Sequence, residues 1–532
     1  MSTTQTGSSY DARQGAPYWD PYDPELVADP YPAFKRLREE APLYYNEKYD
    51  FYAVSRYDDV AKGLLDRDTF ISAKGGVIEI IKANINVPKG VFIFEDPPLH
   101  TIHRGLLTRV FTPKRMNDLE PQIRQYCADA LDPIVGTGKF DFVRDLGAQM
   151  PMQVIGMLLG IPEQDRQKVR ERADEALRTE VGKPQEYGTD HNFAGEGFEE
   201  YIDWRLQHPS DDLMSQLVQT EFRDETGATR KLSKEELMIF INILSSAGNE
   251  TTNRLIGWTG KILGDHPDQR RQVHADRSLI PQTIEEILRF EPPPPHIARY
   301  VAKDVKVHGQ TVPKGSVMVF LSGAANRDHR QFEDGDSFNI HREKKPHVVF
   351  GNGYHVCLGQ ALARAEGRVA LDEVLKRFPD WELDLDNAYI SPTSTVRGWQ
   401  TLPTYTDGSK PKRTLKRYNI GAPEAAAAMG MAAPAPGGGE LWNTTLQTPM
   451  GPQNMQVLLK VAGSSLTGTI SSQMGGGDIS GSASGNDLSW TMKVTQPMPL
   501  ELEFKVKVDG DTMTGDVKLG GFGTAKLTGT RA

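Results

Sequence analysis

The hydrophobic period of this chain changes once, near residue 420, and that change decides how many independent structures it can hold. From about Arg104 to Arg289 apolar residues return at helical spacing, broken where Pro113, Pro151, Pro162 and Pro267 mark turns. Upstream, Tyr31–Leu37 and Asp58–Leu65 read as helices and Tyr52–Arg56 as a strand. From Ala422 to Gly439 the sequence falls to a low-complexity run of Ala, Pro and Gly, the composition of a semi-flexible linker. Beyond it the period is two, with Trp442, Thr444 and Leu446, then Met455, Val457, Leu459 and Val461, on one face. Leu488, Trp490, Met492 and Val494, then Leu502, Phe504, Val506 and Val508, continue the pattern. A weak internal repeat sets Val461–Gly468 against Val508–Gly515, each with a turn pair (Ala462-Gly463, Asp509-Gly510) between alternating runs, as hairpins require. About eight strands fit between Glu440 and Arg531, enough to close a small up-and-down barrel. The expected organisation is a disordered lead-in over 1–20, a mainly α unit with a small β subdomain over 21–417, a linker over 418–439 and an all-β barrel over 440–532.

Composition narrows the function classes. Hydrophobic content of 38% with 25% charged residues supplies a core of ordinary size. A net charge of −10 argues against a nucleic-acid binder, which would carry a basic stripe. The two cysteines, Cys127 and Cys357, make no disulfide scaffold and suit a reducing compartment. Residues 1–20 lack the apolar centre of a secretory signal, and no apolar run reaches about 18 residues, so neither export nor a membrane span is expected. The expected location is the cytoplasm.

The chemistry concentrates in Phe350-Gly351-Asn352-Gly353-Tyr354-His355-Val356-Cys357-Leu358-Gly359. Three glycines around one thiol describe a loop that turns sharply and lets something bulky approach its backbone. An apolar helical pattern from Ala361 to Leu375 follows at once, so the thiol sits at a helix N-terminus, where the dipole favours a thiolate. One cysteine cannot build a zinc or iron–sulfur site. A nucleophile or a single axial ligand to a cofactor iron remains.

The stretch resembles the haem-binding signature of the cytochrome P450 family, Phe-x-x-Gly-x-(His or Arg)-x-Cys-x-Gly, at every position. The resemblance implies haem b, with Cys357 as the axial thiolate on its iron, Phe350 and Gly351 shaping the loop, and His355 bonding a propionate. Ala247-Gly248-Asn249-Glu250-Thr251-Thr252 resembles the family's acid–alcohol pair on the long helix over the distal haem face. There Ala247 and Gly248 would leave room for dioxygen, Thr251 would hydrogen-bond the oxygen being reduced, and Glu250 would relay protons from solvent. Asp96–Arg104 resembles the start of the helix that reaches the propionates, which implies that His100 and Arg104, with Arg299 and His355, bind the two carboxylates. Glu286-Ile287-Leu288-Arg289 matches the family's Glu-x-x-Arg, with Arg342 as the third, structural member. Val396–Pro403 matches its closing β-turn, so the resemblance spans about residues 20 to 410.

Asn242, Ser246 and Glu250 lie on one ridge of the distal helix, with Ile243, Ala247 and Thr251 beside it. Asn242 and Ser246 are expected to hydrogen-bond a polar group of the substrate or a water chain. Val77–Ile81 and Val91–Phe94, with Phe92 foremost, are expected to roof the pocket, and Pro293, Pro294, Pro295, His296 and Ile297 to wall it. Such a lining implies a hydrophobic terpenoid, steroid, fatty acid or aromatic substrate. The barrel has no Cys and no His, so it is no electron donor. A separate ferredoxin and its reductase are implied, docking near Arg109, Lys114, Arg115 and Arg364, while the barrel would serve self-association or protein interaction. The expected activity is a monooxygenase that hydroxylates or epoxidises its substrate with O2. A peroxide-driven peroxygenase and a non-enzymatic haem carrier or sensor are the alternatives.

Overall fold

In the computed structural model the chain forms two compact units, Met1–Pro423 and Glu424–Ala532. The structure describes residues 15–531 apart from 189–190, 394, 412–417, 422–439, 449–450, 463–464, 473–474, 495–499, 511 and 520–522. Of the lead-in expected over 1–20, residues 1–14 lie outside the described residues, but Trp19 and Asp20 are buried and Asn46 donates to the Trp19 oxygen at 2.8 Å, so its end belongs to the packed unit. Of the linker expected over 418–439, residues 422–439 lie outside the described residues, and Asn419–Ile420 is a short strand.

The first unit is mainly helical. Its main helices here are α1 (Leu99–Thr108), α2 (Glu120–Leu131), α3 (Met150–Leu159), α4 (Glu163–Leu177), α5 (Lys234–Asp265), α6 (Ile280–Phe290) and α7 (Gln360–Arg377). α5 organises the rest. Ser233 accepts from the Glu236 N–H and the Glu236 carboxylate accepts from the Ser233 N–H, a reciprocal cap that fixes where it begins. Its 32 residues span about 48 Å. From Leu237 to Leu263 it is buried along most of its length, against α3, α4, α6 and α7. The prolines read as turn markers open helices: Pro113 and Pro267 stand at first helical positions, Pro151 follows Met150, and Pro162 caps α4.

The small sheet contains β1 (Leu43–Asn46), β2 (Phe51–Val54), β3 (Phe70–Ile71), β4 (Ile297–Val301) and β5 (Val317–Phe320) in the order β1-β2-β5-β4-β3. Here one expectation fails. Val77–Ile81 forms the start of a helix, and Ile78 and Ile81 pack with Trp19, Phe34 and Ala298 against this sheet instead of roofing the pocket.

The second unit is a closed antiparallel barrel of eight strands among its described residues, β6 (Glu440–Thr448), β7 (Gly451–Ala462), β8 (Ser465–Ser472), β9 (Gly475–Ser484), β10 (Asp487–Val494), β11 (Leu500–Asp509), β12 (Thr512–Leu519) and β13 (Thr524–Arg531). Each strand pairs with its sequence neighbour, and β6 pairs with β13 to close the ring. Trp442, Val457, Leu466, Trp490, Phe504 and Val517 fill the interior. Val461, read as inward, is 52% exposed, because it sits at the strand end beyond the packed core. The repeat has a steric cause. A Cβ on Gly468 would lie 1.8 Å from the Leu458 oxygen, and one on Gly515 2.3 Å from the Lys505 oxygen, so both halves need glycine where the strands cross closely. Gly463 lies outside the described residues, while Gly510 turns with φ +58° between paired Asp509 and Thr512.

Candidate active site

The thiol loop is held from several sides. The Cys357 N–H donates to the Phe350 oxygen at 2.8 Å, closing the loop on its own first residue. Asn352 donates to the Ala61 oxygen at 3.0 Å, pinning it to the rest of the unit. Gly353 has φ +73°, and a Cβ there would stand 3.0 Å from the Leu64 oxygen, so no larger residue fits. Cys357 opens into a cavity of about 320 Å³ and is otherwise surrounded by protein. Burial pushes its thiol up; the N–H groups of Gly359 and Gln360 and the charges of Arg104 and Arg364 pull it down without overcoming burial. A metal cation bound at the sulfur would supply the missing charge.

α5 forms the opposite wall. Ala247, Gly248, Thr251 and Thr252 line the cavity. Thr251 Oγ1 donates to the Ala247 oxygen at 2.8 Å. Gly248 also serves packing, since a Cβ there would stand 3.0 Å from Ile155 of α3. Glu250 lies off the cavity, 2% exposed, with Oε1 held by Arg254 one turn along. Arg254 in turn donates to the Trp399 oxygen.

Four cationic or titratable groups meet at the rim. Arg104 and Arg299 both line the cavity, and they donate to the Val356 and Ala298 carbonyls. His355 lines it too, with Nε2 3.0 Å from the Glu95 oxygen. His100 lies behind, its ring 4.2 Å from that of His355, with neither nitrogen hydrogen-bonded. Burial and then the neighbouring guanidinium charges, with His100 beside His355, depress both imidazoles, His100 to about 4 and His355 to about 2. Half-buried Arg104 and buried Arg299 both end on carbonyls, with Asp96 the carboxylate that acts on Arg299, and together they gather positive charge in one corner.

The pocket residues divide. Phe92, Ile243 and Ile297 line the cavity, joined by Ile93, Phe94 and Leu244. Asn242 and Ser246 are not among its lining, and Asn242 donates to the Phe193 oxygen at 3.1 Å. Pro295 and His296 face away: Pro295 packs on Gly323, and His296 lies edge-on to Trp19 at 5.4 Å. Pro293 and Pro294, expected in the same wall, do line the cavity. Glu286, Arg289 and Arg342 do meet. Arg289 donates twice to Glu286 at 2.7 Å, and Arg342 Nε donates to Glu286 Oε1 at 3.0 Å.

The cytochrome P450 family model matches residues 191–388. Cytochrome P450 123 of Mycobacterium tuberculosis is 38% identical over 389 residues, covering 72% of this chain and 96% of its own. The chain belongs to the cytochrome P450 family. The 6-deoxyerythronolide B hydroxylase of Saccharopolyspora erythraea is 32% identical over 72% of this chain and 99% of its own. The solved structure of CYP109Q5 from Chondromyces apiculatus is 34% identical, with a TM-score of 0.63 over 73% of this chain and 97% of that one. The first unit is therefore a haem monooxygenase, an oxidoreductase.

The residues present fit haem in this P450. Cys357 presents one sulfur to the cavity, as an axial ligand must. The orphaned nitrogens of His100 and the charges of Arg104 and Arg299 fit a pair of carboxylates. Sequence reading missed Glu366, a cavity-lining residue of α7 that is 1% exposed, with the Thr252 side chain against its carboxyl and no cation among the described residues paired to it. Burial pushes it up to about 8, so it is a neutral acid at pH 7. The signal was available: a glutamate on an apolar helical face between Leu362 and Val369.

Proposed function

We propose that the chain hydroxylates or epoxidises an apolar small molecule with O2, drawing electrons from a separate ferredoxin and its reductase. The observation that carries this reading is the cavity, whose wall opposite Cys357 is Phe92, Ile93, Phe94, Ile243 and Ile297, with Thr251 as its hydroxyl. The haem iron supplies dioxygen binding and its reductive cleavage when bound. The protein's part is placement and protons. Arg104, Arg299, His100 and His355 would hold the propionates, and Cys357 the iron. Ala247 keeps the wall low. Thr251, turned on α5 with its hydroxyl at the cavity, would donate to the reacting oxygen, and Glu250 would replace the proton that Thr251 passes on. Glu366, a neutral acid on the same cavity, supports a second proton reservoir. The aromatic and aliphatic wall would exclude water and orient the substrate by shape.

A separate electron donor is supported by the barrel's lack of Cys and His. Of the proposed docking cations, Lys114 pairs with Asp118 at 3.0 Å and Arg364 with Glu285 at 2.5 Å, which moves the weight of the proposal to Arg109 and Arg115. We read the barrel, with its filled interior, as an interaction module. No helix among the described residues is long and apolar enough to cross a membrane. A library of terpenoids, steroids and fatty acids, screened by the haem absorption shift and then by product formation with ferredoxin and reductase, tests the reading. Oxygenated product is expected; turnover only with added peroxide would contradict it.

A further inference from the structure

The acid on α5 does not stand alone. α4 packs across α5 at the turn that carries Glu250, and it brings a second carboxyl, Asp174, beside that turn, with Asp174 Oδ1 3.4 Å from Nδ2 of the adjacent Asn249. Glu250 divides its two oxygens. Oε1 is held by Arg254, whereas Oε2 is buried with no amide, guanidinium or hydroxyl donor among the described residues, which leaves it open to a protonated carboxyl. Two carboxyl groups can share a hydrogen bond only if one of them carries the proton, because ionised carboxylates have no donor. Asn249 Nδ2, 3.4 Å from Asp174 Oδ1, adds a weak donor to the outer group. The two also differ in exposure: Glu250 is closed off from solvent, while Asp174 is only partly buried.

We propose that Asp174 and Glu250 form an acid–carboxylate pair that holds one proton across the α4–α5 crossing, Asp174 being the outer member through which protons enter. The proposal rests on the reading of Glu250 as a proton relay. The step is a proton transfer alone. Asp174 gives its proton to Glu250 Oε2, Glu250 passes one towards Thr251, and the Asp174 carboxylate is reprotonated from solvent. Asp174 acts through Glu250 and is a positioning residue, not one that touches the substrate.

The surrounding charges permit such a shared proton. Arg254 faces the pair from α5 and Arg170 from α4; Arg254 also donates to the Trp399 oxygen, and Arg170 Nη1 to the Ala148 oxygen at 3.2 Å. Burial first, and then the Glu250 charge, hold the Asp174 carboxyl up at about 7 against the pull of both guanidinium groups. Asp174 is thus protonated below neutral pH and empties above it, which places proton supply under the control of a group on α4. A shift of α4 that parted the carboxyls would leave Glu250 to Arg254 alone.

The test uses the full-length ferric haem protein and reads the infrared carbonyl stretch of protonated carboxyls between pH 5 and 9. Glu366→Gln first removes one other buried acid, and Asp141, a third that burial pushes up to about 6, stays in every sample. The Asp174 band is therefore read as the difference between the Glu366→Gln protein and the same protein carrying Asp174→Asn, and that difference band should disappear as pH rises through neutrality. Adding Glu250→Gln to both removes the charge facing Asp174 and should lower the midpoint by about one unit. No difference band between the two proteins, or a difference band whose midpoint Glu250→Gln leaves in place, overturns the pair. Should Asp174→Asn fail to take up haem, the Glu250→Gln midpoint decides. With redox partners and a substrate, Asp174→Asn should cut coupled product formation by about tenfold and raise peroxide release. If the infrared titration succeeds but turnover is unchanged, the pair exists and the relay reading of Glu250 falls; if the chain turns over nothing, the infrared result still stands.

Discussion

Replacing Glu286 with Ala should unfold the helical unit more easily by an amount that the contacts set. Glu286 accepts two bonds from Arg289 at 2.7 Å, one from Arg342 at 3.0 Å and one from the Asn339 N–H at 3.0 Å. Both Glu286 and Arg289 are buried, so the substitution strands a guanidinium group that no longer meets a carboxylate. Arg289 keeps the carbonyls of Asn326 and Gly335 at 2.8 Å and of Ser337 at 3.1 Å, which limits the damage. Breaking a buried pair by removing one partner costs about 3–5 kcal/mol, about a fifth or more of a typical domain's stability of about 5–15 kcal/mol. Glu286→Gln keeps one acceptor and the side-chain shape, and should cost about half as much. Guanidinium unfolding followed by helical circular dichroism is the assay, because the all-β barrel contributes little to that signal. The same variant should lose haem faster, since Arg289 and Arg342 together hold residues 326–342 that lead into the thiol loop. A cost below about 1 kcal/mol for Glu286→Ala would refute the claim that this network carries the loop.

Three further outcomes are expected. Glu366 is protonated in the folded chain up to about 8 against an ordinary 4.5, so the stability it contributes is complete below pH 4.5 and is lost as pH rises to about 8. Glu366→Gln should flatten the stability curve across that window, and an unchanged slope in denaturant titrations would count against a neutral Glu366. Gly468→Ala should destabilise the barrel by about 1–3 kcal/mol through overpacking, moving one calorimetric transition of the full chain while the helical signal melts as before. The rate of reduction by ferredoxin should fall as ionic strength rises, and Arg115→Ala should weaken that dependence; a rate indifferent to salt would remove the proposed docking face.

Much of this was legible in the residues because the constraints were local. The thiol loop needs glycine at 353 for its backbone, the period-two pattern follows from strand geometry, and Ser233 and Glu236 announce the start of α5. What could not be read depends on rotation and on distant segments. One ridge of α5 carries Asn242, Ser246 and Glu250, but the helix turns it away from the cavity, towards Phe193 and α4. Pro295 and His296 were misplaced for a similar reason: the chain reverses at Pro293–Pro294, and Trp19, nearly 280 residues upstream, claims the imidazole. Asp174 carried no local signal, because only the helix crossing gives it a partner.

The sulfur of Cys357 bearing on a haem iron is the claim from which the rest follows. Carbon monoxide added to the reduced, haem-loaded protein reads that bond directly. The account predicts a strongly red-shifted Soret band that Cys357→His abolishes with haem retained. A carbonyl spectrum like that of histidine-ligated haem in the unaltered protein would contradict it.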